Sequence, residues 1–307
     1  MSHFIERMTA SAMSPHVLDM ALAIAWHCCS DAAHLERFRA ALTSKPSNVL
    51  TFAGILTPEG TNDISIPNCS VVHSIAELDA ALSRETKGQV QSAGLEEPVA
   101  MTHVVCIVIA LCFRGLWKYP FDLSQNATKP FRGNDGEKSM VFMHITRDFE
   151  YLEDYRAMND AVCAVAVFPY ECGARFIVVL PRDGTQPLPA VDWETLCRTT
   201  MPTHELIVTI PQFSMRRQVD MMPYLAKLKA SGLIYDRLLP RGTLASAYQD
   251  ITMVFNNKGT WFMSIMVEKV LERSEKLEGP RVFCCDRPFR WAVVSAENHI
   301  IATGRLQ

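Results

Sequence analysis

The sequence lacks a long hydrophobic run. Its longest apolar stretch, residues 103–113, is far shorter than the roughly 20 residues that a membrane-spanning helix needs, and we interpret it as a strand buried on both faces. A strong excess of one charge is also missing. The formal net charge is −3, which argues against a nucleic acid or an anionic membrane surface as a partner.

Motifs of catalysis are absent as well. The chain has no Gly-x-Ser-x-Gly, no His-Glu-x-x-His, no phosphate-binding glycine-rich loop and no Cys-x-x-Cys. Its nine histidines are scattered, and only His16 and His27 share a predicted helix. We therefore expect neither an enzyme nor a metal or cofactor site.

A secretion signal is not recognisable at the N-terminus, because acid and base occur within the first seven residues and no apolar segment follows. Ten cysteines include two adjacent pairs, Cys28 with Cys29 and Cys284 with Cys285, which are awkward to bridge within one domain. We predict reduced thiols and a cytoplasmic protein, with secretion as the alternative. Cys284 and Cys285 are expected to be buried structural thiols.

The composition is that of a folded globular chain. Of its 307 residues, 49% are hydrophobic, which is enough to form a large core. No repeat or linker divides the chain, so we predict one α+β domain over residues 1–307 with large sheets.

Helices are predicted at 16–27, at 31–42 with Ser30 as cap, at 74–86 with a Ser74–Glu77 capping box, and at 219–230 ending at Gly232. Strands are predicted at 48–56, 251–255, as a pair over 161–181 around a turn at 171–174, and as a hairpin from 289 to 304 with its turn at 296–298.

The C-terminal fifth is the most informative part. The strand at 251–255 stops at the turn sequence Asn-Asn-Lys-Gly of residues 256–259, and the last hairpin opens after Asp-Arg-Pro-Phe at 286–289. Between them, residues 267–281 are densely charged. Loops of that length are uncommon in compact domains and tend to be functional or disordered.

These residues resemble the serpin family of protease inhibitors. Serpins have a hinge Asn-Glu-Glu-Gly-Thr, an exposed reactive loop and then Asp/Asn-Arg-Pro-Phe; residues 256–260 here are Asn-Asn-Lys-Gly-Thr. Further blocks similar to the family occur in family order, at Ser14-Pro15, 113–122, 128–131, 167–181 and 206–213. The resemblance implies a serpin fold, with a large mixed sheet, smaller sheets, surrounding helices and a reactive loop near 261–281.

The same resemblance implies a mechanism. A protease cleaves the loop, which then inserts as a new strand and distorts the protease before deacylation. Counted as in the family, the scissile residue lies fourteen after Gly259, which gives the bond Arg273-Ser274 and a trypsin-like serine protease as partner. The alternatives are that Arg273 is a solvated loop charge, or that Glu272 holds the position.

The hinge departs from the family pattern. Inhibitory serpins have small residues after Gly-Thr, whereas here bulky ones follow Gly259 and Thr260. By strand alternation Thr260, Phe262, Ser264 and Met266 face inward, and Trp261, Met263 and Ile265 outward. Large inward side chains should slow insertion. A serpin scaffold that no longer inhibits and acts by binding other proteins is therefore the rival reading.

The region that opens to admit the loop is altered too. The family's Asn and His correspond here to Ile109 and Gln249, and one of its serines to Asp19. Asp19 then needs a new partner, for which Gln249 is the candidate. Trp117 is retained where insertion begins, with a plain core aromatic as the alternative.

Two connections are shorter than in a usual serpin, at 42–48 and 61–70. In this respect the chain is similar to the compact, signal-less serpins of large DNA viruses, which implies a possible host-modulating role.

Overall fold

The computed structural model describes residues 12–44, 46, 48–57, 64–95, 106–184, 187–238, 247–261 and 281–307. The backbone divides into two compact units. Unit 1 combines Met1–Met13, Arg114–Arg216 and Thr252–Gln307, and unit 2 combines Ser14–Phe113 and Arg217–Ile251. Because both units draw on separated segments, no single cut in the chain separates them. The expectation of one domain over 1–307 stays a prediction.

Strands account for most of the elements in the described residues. They are β1 (Ala12–Met13), β2 (Val49–Leu56), β3 (Ser70–Val72), β4 (Cys106–Leu116), β5 (Ala127–Gly133), β6 (Gly136–Arg156), β7 (Val162–Pro169), β8 (Arg175–Pro181), β9 (Thr203–Pro211), β10 (Phe213–Asp220), β11 (Tyr248–Asn256), β12 (Gly259–Trp261), β13 (Arg281–Cys284), β14 (Phe289–Val294) and β15 (Ile300–Leu306). The helices are α1 (Pro15–Cys28), α2 (Ile75–Glu85), α3 (Trp193–Leu196) and α4 (Met222–Lys227), with 3₁₀ turns at Ala33–Leu42 and Leu123–Gln125.

Unit 1 contains a nine-stranded mixed sheet in the order β1-β15-β14-β8-β7-β6-β9-β13, with β5 paired to β6. The pair β9–β13 is parallel and the other pairs are antiparallel. Strands β8 and β14 lie in its middle and are buried along almost their whole length, as their runs of Val, Ile and Ala require. The predicted strand pair over 161–181 and the C-terminal hairpin are confirmed.

The turns of these two hairpins rest on residues in the left-handed region. Gly173 has φ +83° between β7 and β8, and Asn298 has φ +65° between β14 and β15. Both residue types adopt that conformation at low cost. Local turn chemistry therefore determines where both strand pairs reverse.

Unit 2 is organised around α1, α2 and strand β2. β2 pairs with β3 in parallel and with residues 106–113 of β4 in antiparallel register. Helix α2 packs its apolar face, including Leu78 and Leu82, against Phe52 and Leu56 of β2. Its predicted start is confirmed, since the Glu77 backbone N–H donates to Ser74 Oγ at 3.2 Å. The Glu77 carboxylate accepts from His73 N–H rather than from Ser74 N–H.

Two helix predictions need correction. Residues 31–42 were expected as an α-helix capped by Ser30, but the structure has a 3₁₀ helix from Ala33 whose N-cap is Ala32. Ser30 does not cap this helix: its N–H and its hydroxyl both donate to the carboxylate of Asp236, at 2.8 and 2.5 Å. Among the helices of the described residues, none is long and apolar enough to cross a membrane.

The predicted helix at 219–230 is shorter than expected, because residues up to Asp220 belong to β10. The Asp220 carboxylate accepts from Met222 N–H at 2.9 Å, at the start of α4. At the other end Lys229 takes φ +57°, and Ala230 N–H donates to the Leu225 carbonyl at 2.7 Å. The left-handed residue ends the helix before Gly232 is reached.

Candidate functional site

The short strand β12 places the start of the loop between two longer strands of unit 1. Gly259, Thr260 and Trp261 pair antiparallel with residues 254–256 of β11 on one side and with residues 114–116 of β4 on the other. We call these three residues and their two flanking segments the hinge site. The intact chain therefore already holds residues 259–261, the first residues of the predicted hinge, as a strand between two others.

Gly259 allows the close approach on which this pairing depends. A Cβ on Gly259 would overlap the carbonyl oxygen of Gly115 and lie 3.0 Å from the Cα of Leu116. Both neighbours are backbone, so no side-chain rotation could relieve the overlap. The close approach of the β4 backbone therefore requires a glycine at position 259, as expected for the hinge.

Thr260 is anchored by a hydrogen bond that the sequence did not reveal. Its side chain has no exposed surface, and its Oγ1 accepts from the Tyr170 hydroxyl at 2.6 Å. The Tyr170 ring stacks on Trp117, with ring centroids 4.5 Å apart and an interplanar angle of 12°. Burial raises the pKa of Tyr170 well above its ordinary value, so the hydroxyl remains a donor at neutral pH.

Trp117 is the centre of an aromatic cluster in unit 1. It is 2% exposed and makes edge contacts with Phe121, Phe168, Phe176 and Phe255. Its indole N–H donates to the Asn256 carbonyl at 2.8 Å, and its backbone N–H donates to the Lys258 carbonyl at 2.9 Å. Trp117 therefore supports the hinge site directly, in addition to filling the core.

Trp261 was predicted to face outward on its strand. In the structure its side chain is buried on that face. Trp261 is only 5% exposed. The Arg114 guanidinium lies 5.9 Å from its ring centroid, and the indole N–H has no hydrogen-bond partner among the described residues. A central strand can be covered on both faces, so alternation alone did not decide exposure.

The three altered positions expected to replace the family's polar network all lie in unit 2. Ile109 is half-buried on β4 and pairs with Ala53, and Asp19 is half-buried on α1. Gln249 is buried, but its partner is the Ser14 backbone: Oε1 accepts from Ser14 N–H at 3.0 Å and Nε2 donates to the Ser14 carbonyl at 3.2 Å. The structure thus gives Gln249 a different partner from the expected Asp19.

The remaining predicted site residues lie outside the described residues. These are Phe262, Met263, Ser264, Ile265 and Met266 of the hinge and the bond Arg273-Ser274.

Strand β13 is followed by Asp286 and Arg287, whose side chains bind other segments of unit 1. The Arg287 guanidinium donates to the carbonyls of Pro181 at 2.8 Å and Arg182 at 3.1 Å, and Asp286 pairs with Arg132 at 2.8 Å. The segment after the loop is therefore fixed in unit 1.

The sequence analysis did not identify two sets of side chains that contact the hinge site or the turn before it. Tyr170 holds Thr260, and a cluster of the carboxamides of Asn257, Asn126 and Gln212 lies under the preceding turn. Tyr170 and Gln212 both lie within blocks that carried the family resemblance, which was the available signal. The sequence did not indicate which side chains the residues of these blocks contact, because their partners are far away along the chain.

Burial suppresses thiol chemistry at several cysteines. Nine cysteines of the described part of the chain have free thiols. Burial raises the pKa of Cys29 and Cys69 to about 12, and that of Cys285 well above its ordinary value. Since the thiolate is the reactive form, these are poor nucleophiles. In the described residues no cluster of three or more His, Cys, Asp or Glu could hold a metal ion.

Comparison with known proteins gives a consistent result. A family model described as Serpin (serine protease inhibitor) matches residues 70–306. Serpin B10 of Plecturocebus moloch is 24% identical over 162 residues, 50% of this chain and 40% of that protein. Human Serpin B9 is 25% identical over 252 residues, 74% of this chain and 64% of that protein. The matched regions thus span less than two thirds of these relatives' lengths.

Solved structures show the same fold at low identity. Native protease nexin-1 with heparin superposes with a TM-score of 0.76 at 17% identity, covering 96% of this chain and 91% of that one. The thermophilic serpin Tengpin in its native state gives 0.77 at 14%, covering 99% and 91%. Thyroxine-binding globulin complexed with thyroxine gives 0.73 at 16%, covering 99% and 94%. The expected α+β architecture, with a large mixed sheet and surrounding helices, is confirmed.

Proposed function

The chain belongs to the serpin family, and on that premise we propose that it inhibits a serine protease by inserting its loop into a sheet after cleavage. In this mechanism the protein is consumed rather than turned over. The free energy comes from completing the sheet, which releases strain stored in the intact form.

One observation carries the proposal: Gly259–Trp261 runs as a strand between β11 and β4. Insertion needs a site between two strands that accepts the loop beginning at its hinge, and β12 occupies such a site. The bulk of Trp261 does not prevent pairing, since its side chain is accommodated with 5% exposed. The steric penalty expected for Phe262 and Met266 stays a prediction.

The proposed scissile bond is Arg273-Ser274, and the proposed partner is a trypsin-like protease. The position follows from the family spacing, fourteen residues after Gly259. A basic residue before the cleaved bond suits a specificity pocket that presents a carboxylate. Glu272 and Glu275 on either side favour a protease with a basic rim around that pocket.

A second candidate is a serpin scaffold that binds without inhibiting. The bulky hinge sequence at 261–266 favours it, because slow insertion lets the protease deacylate and leave. Thyroxine-binding globulin, similar in fold, was solved with thyroxine, a ligand that is not a protease. The two candidates differ in whether cleavage of the loop ends in a trapped protease.

The cellular context belongs to the proposal as well. Nine free thiols with no disulfide among them in the described residues support a reducing compartment. We place the protein in the cytoplasm on this basis. The kinship with compact viral serpins and a host-modulating role stay predictions.

The experiment mixes the protein with a panel of trypsin-like proteases and resolves the products by denaturing gel electrophoresis. We expect a covalent complex that survives boiling in detergent, with loop-cleaved protein as the competing product. Arg273→Gln should abolish the complex and the product cleaved after residue 273, although Lys269 and Lys276 remain in the loop. Thr260→Arg should leave only cleaved protein, because position 260 is fully buried between β11 and β4 and an unpaired charge there would oppose formation of the strand from which insertion continues.

The scaffold candidate stands instead if wild type is cleaved at the loop by several proteases and traps none of them. A complex that forms equally well with Thr260→Arg would also overturn strand insertion as the mechanism.

A further inference from the structure

Strands β6, β9 and β13 form one end of the large sheet in unit 1, and one face of this end is open. Residues directly opposite each other in paired strands point to the same face, so Val282, Ile207 and Thr146 share a row across the three strands. Val282 is 69% exposed, the highest value among the large hydrophobic side chains that the structure describes. The other face is core, with Leu206 and Phe283 buried. The open face therefore carries apolar surface that the core does not use.

The next row of the same face holds two carboxylates directly opposite each other. Asp148 of β6 pairs in register with Glu205 of β9. Asp148 is exposed and Glu205 is half-buried, and neither forms an ion pair with another described residue. Like charges directly opposite each other destabilise a strand pair. We call the side chains of these two rows the β13 surface.

The cation at the start of β13 does not neutralise these carboxylates. Arg281 pairs with Leu206, the residue after Glu205, and points to the other face of the sheet. There its guanidinium donates to the Glu153 carboxylate at 3.0 Å and lies 5.9 Å from the centroid of the Tyr151 ring. The β13 surface therefore keeps its negative charge. A folded chain retains a locally unfavourable pair of this kind mainly where function requires it.

The β13 surface begins where the reactive loop ends. Arg281 is the first residue described after the loop, and it lies eight residues after Arg273. Eight residues span at most about 29 Å. A protease of about 200 residues has a radius of gyration of roughly 16 Å. A protease bound at the Arg273-Ser274 bond is therefore large enough to reach the β13 surface, and the loop itself brings it there.

We propose that the β13 surface is a second contact site for the target protease, on the side that binds the residues after the cleaved bond. The inference rests on the proposed function and deepens it, because the site selects a protease with basic residues beside its active-site cleft. Charge complementarity determines this sign. Asp148 and Glu205 continue the acidic character of the loop, where Glu275 and Glu278 also follow the scissile bond.

The two kinds of side chain contribute in different ways. Charged groups at the edge of an interface mainly raise the rate of association, and salt screens their effect. Apolar contact by Val282 lowers the rate of dissociation instead and depends little on salt. Salt therefore separates the two contributions experimentally.

The test measures binding to cationic and anionic pancreatic trypsin, which share a preference for Arg and Lys but differ in net charge. Both are used with the catalytic serine replaced by alanine, so that binding is recorded without cleavage or trapping. Association and dissociation rates are measured by surface plasmon resonance at about 50 mM and about 500 mM salt.

The double variant Asp148→Asn with Glu205→Gln should associate with cationic trypsin about threefold to tenfold more slowly at low salt, and within about twofold of wild type at high salt. Its association with anionic trypsin should not slow. Because a like-charge pair is removed, its melting temperature should not fall. Val282→Thr keeps the branched shape and should speed dissociation of both trypsins about twofold to fourfold at either salt concentration.

The matched control is Asp160→Asn with Glu194→Gln. It removes the same charge from exposed positions in the turn between β6 and β7 and in α3. This control should bind both trypsins as wild type does.

The proposal is overturned if the double variant associates with cationic trypsin as fast as wild type at low salt, or if its loss is equal at both salt concentrations. An equal loss in the control variant overturns it too, since the effect would then come from net charge alone. Unchanged dissociation of Val282→Thr would remove Val282 from the site. If the inactive trypsins bind as expected but the active enzymes are never trapped, the β13 surface stands and the proposed inhibition fails.

Discussion

The hydroxyl of Tyr170 donates a 2.6 Å hydrogen bond to the hydroxyl of Thr260, 90 residues further along the chain. Both side chains are buried, at 1% and 0% exposed. The bond links the segment after β7 to the first residues of the loop. It holds Thr260 in β12, between β11 and β4, in the uncleaved chain.

Replacing Tyr170 with Phe should lower the free energy of unfolding by about 1–2 kcal/mol. The ring keeps its stacking on Trp117, so the loss reports the hydroxyl alone. Urea denaturation of wild type, Tyr170→Phe, Thr260→Val and the double variant would give the coupling energy between the two positions. Additive effects of the two substitutions would mean that the bond is not formed in solution.

Alkaline pH should destabilise the protein partly through Tyr170. Burial raises the pKa of its hydroxyl in the folded state well above that in the unfolded state. Above the unfolded value of about 10, the unfolded chain releases a proton that the folded chain keeps, and stability falls as pH rises. Relative to Tyr170→Phe, wild type should lose about 1.4 kcal/mol more per pH unit in this range.

The measurement is urea denaturation of both proteins between pH 8 and 11. Other groups with raised pKa values, among them Tyr235 and the buried thiols, are common to both. Their effect cancels in the difference, and parallel curves would contradict the assignment to Tyr170.

Gly259→Ala should cost about 1–3 kcal/mol of stability, because the added methyl group meets the Gly115 carbonyl and Leu116 Cα of β4. The matched control is Gly232→Ala, where an added Cβ meets nothing within 4 Å. That control should change stability by less than about 0.5 kcal/mol. Equal costs in thermal or urea unfolding would show that the close approach of β12 and β4 is absent in solution.

Limited digestion with trypsin should cut first between Glu272 and Lys276, most strongly after Arg273, and leave the rest folded. If the loop then inserts, the melting temperature of the cut protein should exceed that of the intact protein, because a strand has been added to a sheet. Mass spectrometry of the fragments and differential scanning calorimetry give the two readings. Cuts that spread through 42–48 and 184–190 while 261–281 is spared would refute the loop assignment.

Features that depend on neighbouring residues were predictable from the sequence. The hairpin β14–β15, the pair β7–β8, helix α1 and the capped start of α2 follow from hydrophobic periodicity and from turn and cap residues such as Gly173, Asn298 and Ser74. The family resemblance of the blocks in order predicted the fold, and the match of the serpin model to residues 70–306 confirmed the family.

Features that depend on distant partners were not predictable in the same way. Ser30 was expected to cap a helix but is held by Asp236, 206 residues away. Gln249 was assigned to Asp19 but binds the backbone of Ser14, 235 residues away. Sequence spacing assigned Ser30 to a local helix, and the family comparison assigned Gln249 to Asp19. Neither argument could identify the distant residue that the fold brings into contact.

The sequence by itself determined that the chain has a turn at 256–259 that ends in Gly259, a threonine after it, and a long charged segment before a final hairpin. Only the tertiary structure decided that Gly259–Trp261 lies between β11 and β4, that Thr260 meets Tyr170, and that Asn257 meets Asn126. The physical reason is that turns and caps are stabilised within a few residues. Strand neighbours and buried hydrogen bonds are chosen instead by which distant segments the whole folded chain brings into contact.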